Sequence, residues 1–174
     1  SDNLVKSCRL LFFDHTEIEA GFRGVELAQY YNIPTVVDFE ALRHPQLIDL
    51  LPKINHLLIG MDFAKKITSE NCPKKILSSL ANENRICTVV TAGNQGCWYS
   101  KSNDKMEYFP AYQVGAIDTT GCGDVFHGAY AYCIAKNKPI NQAIQYASAA
   151  APIKAQFTGG RSGIPNLSKL KQFI

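Results

Sequence analysis

Several absences narrow the reading at once. No apolar run approaches the length of a membrane span, and the first residues, SDNLVKSCRL, do not resemble a secretory leader. Cys-x-x-Cys pairs are missing: Cys8, Cys72, Cys87, Cys97, Cys122 and Cys133 stand apart and lack zinc-like spacing with the four histidines. Several of these thiols lie in apolar runs (RICTVV, YAYCIAK), where cysteine behaves as a small hydrophobe, so a reduced, cytoplasmic protein is favoured. Charge of one sign is also lacking. A net charge of +3, with Lys and Arg scattered along the chain, argues against a dedicated nucleic-acid surface but leaves room for a small anion. Repeats, low-complexity tracts and linkers are absent too. The 174 residues, 46% hydrophobic and 19% charged, therefore read as one domain, 1–174, with a real core.

What is present is an alternation of short apolar runs with helix-patterned segments. RLLFFD, IPTVVDFE, HLLIG and RICTVVTAG read as buried strands. Ile18–Asn32, HPQLIDLLPKI and the segment from FAKKIT to ANEN, broken near Pro73, read as the helices between them. Strands apolar on both faces and separated by helices predict a mostly parallel sheet in a three-layer α/β/α arrangement. CWYS and MEYFPAY, separated by the polar turn KSNDK, predict an antiparallel pair near the sheet edge. Further helices are expected over Asp124–Asn137, from Pro139 at a first helical position, and over NLSKLKQFI with Leu167, Leu170 and Ile174 on one side.

Ligands of open α/β sheets sit beyond the carboxyl ends of the strands. Here those ends carry DHTE, DFE, GMDF, TAGNQG and DTTGCGD. In AIDTTGCGDVFHGAY, Gly121 and Gly123 allow close backbone approach, and a helix opening there presents the amides of Gly121 to Asp124 to an anion. A carboxylate at that place, Asp124, is suited to take a proton from an attacking hydroxyl. The residues equally admit a plain role for Asp124 as a helix cap, which an isolated Gly-x-Gly-Asp favours. No Gly-x-x-x-x-Gly-Lys-[Ser/Thr] occurs, so a P-loop enzyme is not expected. His127 is expected to pack or be solvated, Trp98 to pack, and Arg161 to reach a phosphate or sit in solvent. Asp14 and His15 follow a strand and are open to lining a cleft.

The longer string DTTGCGDVFHGAY resembles the second signature of the ribokinase-like (PfkB) carbohydrate kinases, with Cys122 where an alanine is usual. VVTAGNQGCWY, AQYYNIPTVVDFE and AIQYASAAAPIKAQFTGGRSGIP resemble other segments of that family, in the right order. The resemblance implies ATP-dependent phosphoryl transfer to a sugar or sugar-like small molecule, with Asp124 as base and the amides of Gly121, Cys122 and Gly123 as anion hole. It places Thr91, Gly93, Gly96, Ser148 and Gly160 along the nucleotide. Asp118 and Thr120 match positions that hold potassium in potassium-activated members, with carbonyls of the Ala155–Gly163 loop; side-chain hydrogen bonds that merely hold the loop are an equal reading. Magnesium accompanies ATP in the family, yet its usual Asn-x-x-Glu is here Gly60-Met61-Asp62-Phe63, with Asp62 as the obvious substitute. The lid and first glycine signature of the family have no counterpart, so a C-terminal portion is expected, with apolar surface suited to self-association as a homodimer. A non-catalytic binding or regulatory member, and a nucleoside or vitamin kinase, are the alternatives.

Overall fold

The computed structural model describes residues 2–102 and 105–174, so Asn103 and Asp104 of the expected KSNDK turn lie outside the described residues. The chain divides into two compact units. The described residues of Ser1–Ala92 and Trp98–Tyr108 form the first, and Gly93–Cys97 with Phe109–Ile174 form the second.

The first unit alternates strand and helix as its apolar periodicity dictates. A short helix α1 (Asp2–Lys6), not expected from the sequence, precedes β1 (Leu11–Asp14), α2 (Ile18–Tyr30), β2 (Thr35–Phe39), α3 (Leu47–Leu50) and β3 (His56–Gly60). Then come α4 (Met61–Thr68), α5 (Pro73–Ser79), β4 (Cys87–Thr91), β5 (Cys97–Lys101) and β6 (Glu107–Phe109). The break between α4 and α5 begins before the proline, at Ser69, which ends α4 in the left-handed conformation (φ 57°), while Pro73 opens α5. Strands β1 to β6 lie side by side in chain order. The pairs β1–β2, β2–β3 and β3–β4 are parallel, with Phe13 opposite Val37, Val37 opposite Leu57 and Leu57 opposite Thr88. The five-residue connections around β5 are too short for a parallel crossover, so β4–β5 and β5–β6 run antiparallel, as expected.

Every residue of β2 is buried, as a central parallel strand requires, whereas β1 alternates between half-buried and exposed at the sheet edge. Val37, Phe39, Leu57, Ile59, Phe63 and Ile76 form the heart of the core. Each such buried side chain contributes about 1.5–3 kcal/mol through removal of apolar surface from water. Trp98 packs against this core and 5.2 Å from the Tyr108 ring, the packing role expected of it.

One buried polar cluster belongs to the same unit. Arg85, 4% exposed, donates from Nη1 to Ile54 O (2.8 Å), from Nη2 to Leu51 O (2.7 Å) and from Nε to Leu80 O (3.4 Å). Burial, and after it the Arg85 charge, lower the pKa of His56 to about 4. Asn55 adds a reciprocal pair with Thr35: its Oδ1 accepts from the Thr35 amide (3.0 Å), and its own amide donates to Thr35 Oγ1 (3.0 Å).

The second unit is helical: α6 (Cys122–Ala135), α7 (Ile140–Ala155) and α8 (Leu167–Phe173). Helix α6 packs on α7, and the fully buried Ala143 and Ala147 of α7 keep that packing close. Pro139 stands one residue before α7, as its N-cap, rather than at its first position. In α8 Leu170 is buried, but Leu167 and Ile174 stay exposed, so the predicted stripe narrows to one residue. Among the described residues no helix is long and apolar enough to cross a membrane.

Candidate active site

The segment DTTGCGD is built around one glycine. The Cys122 amide donates to Thr119 O (3.0 Å), closing a turn whose third residue, Gly121, has φ 76° and ψ 5°. That is the conformation a type II turn demands at this place, and one that disfavours any side chain. A Cβ on Gly121 would also stand 2.6 Å from Gly160 O, so two backbones meet here with no room for an atom.

Asp118 pins this turn to the end of α7. Its Oδ1 accepts from the Thr120 amide (2.8 Å), and its Oδ2 accepts from the Gly159 amide (2.7 Å). These bonds, those to Thr120 foremost, hold the Asp118 carboxyl at a pKa of about 2. Ala155 O accepts from the amides of Ile117 (2.7 Å) and Asp118 (3.0 Å), and Lys154 Nζ donates to Asp118 O (2.9 Å). The reading of Asp118 as a residue that holds the loop by side-chain hydrogen bonds is the one its geometry supports.

Helix α6 opens immediately after the turn, two residues earlier than expected. Its N-cap is Gly121, and no side chain caps it. Asp124 lies in the first turn, exposed, and is not the cap that an isolated Gly-x-Gly-Asp would suggest. The amides of Gly121, Gly123 and Asp124 have no acceptor among the described residues, whereas that of Cys122 is occupied by Thr119 O. Of the expected trio, Gly121 and Gly123 have unpartnered amides and Cys122 donates within the turn. A positive helix end, unpartnered amides and an adjacent free carboxylate form an arrangement that can bind an anion and accept a proton.

The Cys122 thiol donates to Ala151 O (3.5 Å), and burial pushes its pKa up, with the Lys154 charge opposing. A reactive thiolate is not what this environment makes. His127 is buried, with Nδ1 2.7 Å from Gly123 O, and so braces the first turn of α6 from within. Asp124 and Arg161 border a cleft of about 510 Å³ lined otherwise by Gly128, Tyr132, Ile164 and Leu170 among other apolar groups. The sequence reading did not single out this apolar lining, although Gly128 and Tyr132 are four residues apart, which puts them on one helix face.

The expected nucleotide residues are distributed differently. Thr91 ends β4 in the first unit, its hydroxyl 3.5 Å from Ile59 O. Gly93 (φ 56°) and Gly96 (φ 88°) belong to the second unit. A Cβ on Gly96 would stand 2.1 Å from Phe109 O, so this glycine is obligatory. Ser148 is 7% exposed, and its Oγ lies 4.0 Å from Cys97 Sγ. Thr120 and Gly160 sit against each other at the Gly121 turn, with Thr120 Cγ2 3.7 Å from where a Gly160 Cβ would be. Asp14 Oδ1 accepts from the Thr16 amide (2.8 Å), a local turn. Asp62 is exposed in the first turn of α4, and Phe63 beside it is a core residue.

Lys154 is the residue that sequence reasoning missed. It is fully buried although it carries a charge. The signal was available: it is the lone charge in the run YASAAAPIKAQF.

Comparison with known proteins supplies the context. The pattern of the pfkB family carbohydrate kinases matches residues 35–167. The ribokinase of Staphylococcus aureus is 30% identical over 164 residues, covering 89% of this chain and 52% of that protein. The ribokinase of Lactococcus lactis is 33% identical over 119 residues, covering 64% of this chain and 39% of that one. The chain thus spans about half, or less, of the length of these relatives. A crystal structure from Agrobacterium tumefaciens superposes with a TM-score of 0.92 at 25% identity, covering 99% of this chain and 57% of that one. Arabidopsis thaliana ribokinase complexed with ribose and ATP gives a TM-score of 0.88 at 18% identity, covering 99% and 57%. The expected ribokinase-like α/β class is borne out.

Proposed function

The chain belongs to the pfkB family of carbohydrate kinases, and on that premise we propose that its protein transfers the γ-phosphoryl group of ATP to a hydroxyl of a sugar or sugar-like small molecule. One observation carries the reading: Asp124 is exposed and caps nothing, in the same helical turn as the unpartnered amides of Gly121 and Gly123. Asp124 accepts the proton of the acceptor hydroxyl, whose oxygen then bonds to the γ-phosphorus as the bond to the ADP oxygen breaks. The amides of Gly121, Gly123 and Asp124 donate to the oxygens on which charge gathers, and the pinned turn has them in place beforehand. Gly93, with open space where a Cβ would stand, leaves the β4–β5 turn open to close approach by the nucleotide, while Gly96 lets the Phe109 backbone pack against that turn.

No group of three or more acidic, histidine or cysteine side chains suited to a metal occurs among the described residues. Magnesium would take most of its ligands from nucleotide phosphates and water, neutralising charge there, with Asp62 the obvious carboxylate to contribute. Ribose and ATP in the Arabidopsis relative, and fructose, ADP and potassium ion in a Vibrio cholerae fructokinase variant, set the classes to try.

The test is Asp124→Asn, assayed by ADP release against a panel of pentoses, hexoses and nucleosides. Turnover is expected to fall by about a hundredfold to ten-thousandfold with ADP affinity retained. Undiminished turnover would remove Asp124 as the base. A wild-type protein that binds ADP but phosphorylates nothing in the panel would favour the binding-only alternative, for which Phe63 in place of an acid speaks.

A further inference from the structure

Four of the oxygens near the place expected for a potassium ion in this loop already accept hydrogen bonds from the chain. Both carboxylate oxygens of Asp118 accept backbone amides, of Thr120 and Gly159, and Ala155 O accepts two more. Asp118 O, in the same loop, accepts Lys154 Nζ at 2.9 Å. With the Lys154 ammonium already on Asp118 O, a bound monovalent ion would have to share these oxygens with another cation. What they fit is a positive charge carried by the chain itself.

Lys154 has the properties that such a role requires. It is 0% exposed, it forms no ion pair among the described residues, and Asp118 O is the acceptor it holds. An uncompensated buried ammonium is expensive to desolvate, so its retention calls for an interaction that offsets the cost. Its field reaches the loop on both sides of the turn, favouring the ionised forms of Asp118 and Cys122. It lies in the last turn of α7, where the negative end of the helix favours a cation. A second cation brought to the same oxygens would be repelled by it.

We propose that the Lys154 ammonium is a tethered monovalent cation, occupying the place of a potassium ion behind the Gly121–Asp124 turn and making the protein independent of potassium. Lys154 is a positioning residue: it touches neither nucleotide nor acceptor, but fixes Asp118 O and gives the amide turn a positive backing when negative charge arrives. The inference rests on the phosphoryl-transfer reading for its purpose, though not for its geometry.

The experiment compares potassium chloride with tetramethylammonium chloride at constant ionic strength, reading thermal melting and, separately, the phosphorylation rate. The wild-type protein is expected to behave alike in the two salts by both readouts. Lys154→Ala, which opens a space the size of a small cation, is expected to lose about a hundredfold in rate in tetramethylammonium. Potassium or methylammonium should then restore roughly tenfold of that loss and raise its melting temperature. Potassium-specific activation or stabilisation of the wild type would overturn the proposal. So would a folded Lys154→Ala protein that neither ion rescues, because a merely structural lysine predicts that result. Should Lys154→Ala not fold, the wild-type comparison still decides. Melting requires no turnover, so a protein inactive on every sugar would overturn the kinase reading while leaving this one to be judged by its melting.

Discussion

The molecule buries two cations, and they are buried in opposite ways. Arg85, in the first unit, directs its guanidinium at three carbonyls, of Leu51, Ile54 and Leu80. Lys154, in the second, has three N–H donors and meets one carbonyl, that of Asp118. Around Arg85 the neighbouring polar groups are matched as well, as the Asn55–Thr35 pair shows. Around Lys154 the nearby turn leaves the amides of Gly121 and Gly123 without acceptors. A saturated buried charge ties chain ends together. An unsaturated one beside open amides holds electrostatic potential in reserve for something that arrives from outside.

The comparison breaks most readily at Arg85. Arg85→Met leaves the Ile54 and Leu80 carbonyls without this donor and takes one of two donors from Leu51 O, and is expected to cost about 3 kcal/mol in urea unfolding, with the chemistry of the turn untouched. If that variant unfolds like the wild type, the saturated cluster is not structural and the contrast falls. Gly121→Ala probes the other side. A side chain at φ 76° that meets Gly160 O should cost about 2 kcal/mol of stability. It should weaken phosphoryl transfer more than its stability loss would suggest, since the amides move with the turn. Equal loss in both measurements would mean that the turn is only a connector.

A third test lies in pH. Burial depresses His56 from 6.5 to about 4, so the folded protein binds fewer protons than the unfolded chain between those values. Stability from this group is complete above pH 6.5 and falls as pH drops toward 4, by roughly 1.4 kcal/mol per unit. Melting from pH 7 to pH 5 should show that slope in the wild type, and His56→Asn should flatten it. A wild-type melting temperature independent of pH over that range would contradict it. Asp118, also depressed, acts only lower, its loop bonds being lost as pH falls below 3.8 toward about 2.

Much of this was legible in the chain. TVVDF and HLLIG are rich in apolar residues on both faces, a pattern that suits a strand covered on both sides, so β2 and β3 were placed within two residues. DTTGCGD announced a glycine turn at a helix start, and Gly121 is where it turns. What escaped depends on contacts distant in sequence. Nothing in GCGD says that the Cys122 amide is taken by Thr119, because the turn type depends on how closely Gly160 approaches. Nothing in an alanine-rich helix says that its single lysine points inward, because burial of a charge is decided by the carbonyl waiting 36 residues earlier. The contact of Ser148 with Cys97, 51 residues away, was beyond sequence reasoning for the same reason.

The Asp118 pin bears finally on the order in which the molecule is made. Its bond to the Gly159 amide spans 41 positions, and the whole α6–α7 hairpin lies between the two ends. Closing such a span loses chain entropy that local contacts do not repay, so the turn cannot be set until that hairpin has packed. Early in folding the α6 segment is present while the amides of Gly121 and Gly123 are still aimed nowhere. Competence to bind an anion therefore arrives after helix formation, at the moment Asp118 finds Gly159, and hydrogen exchange at the Gly159 amide would report it.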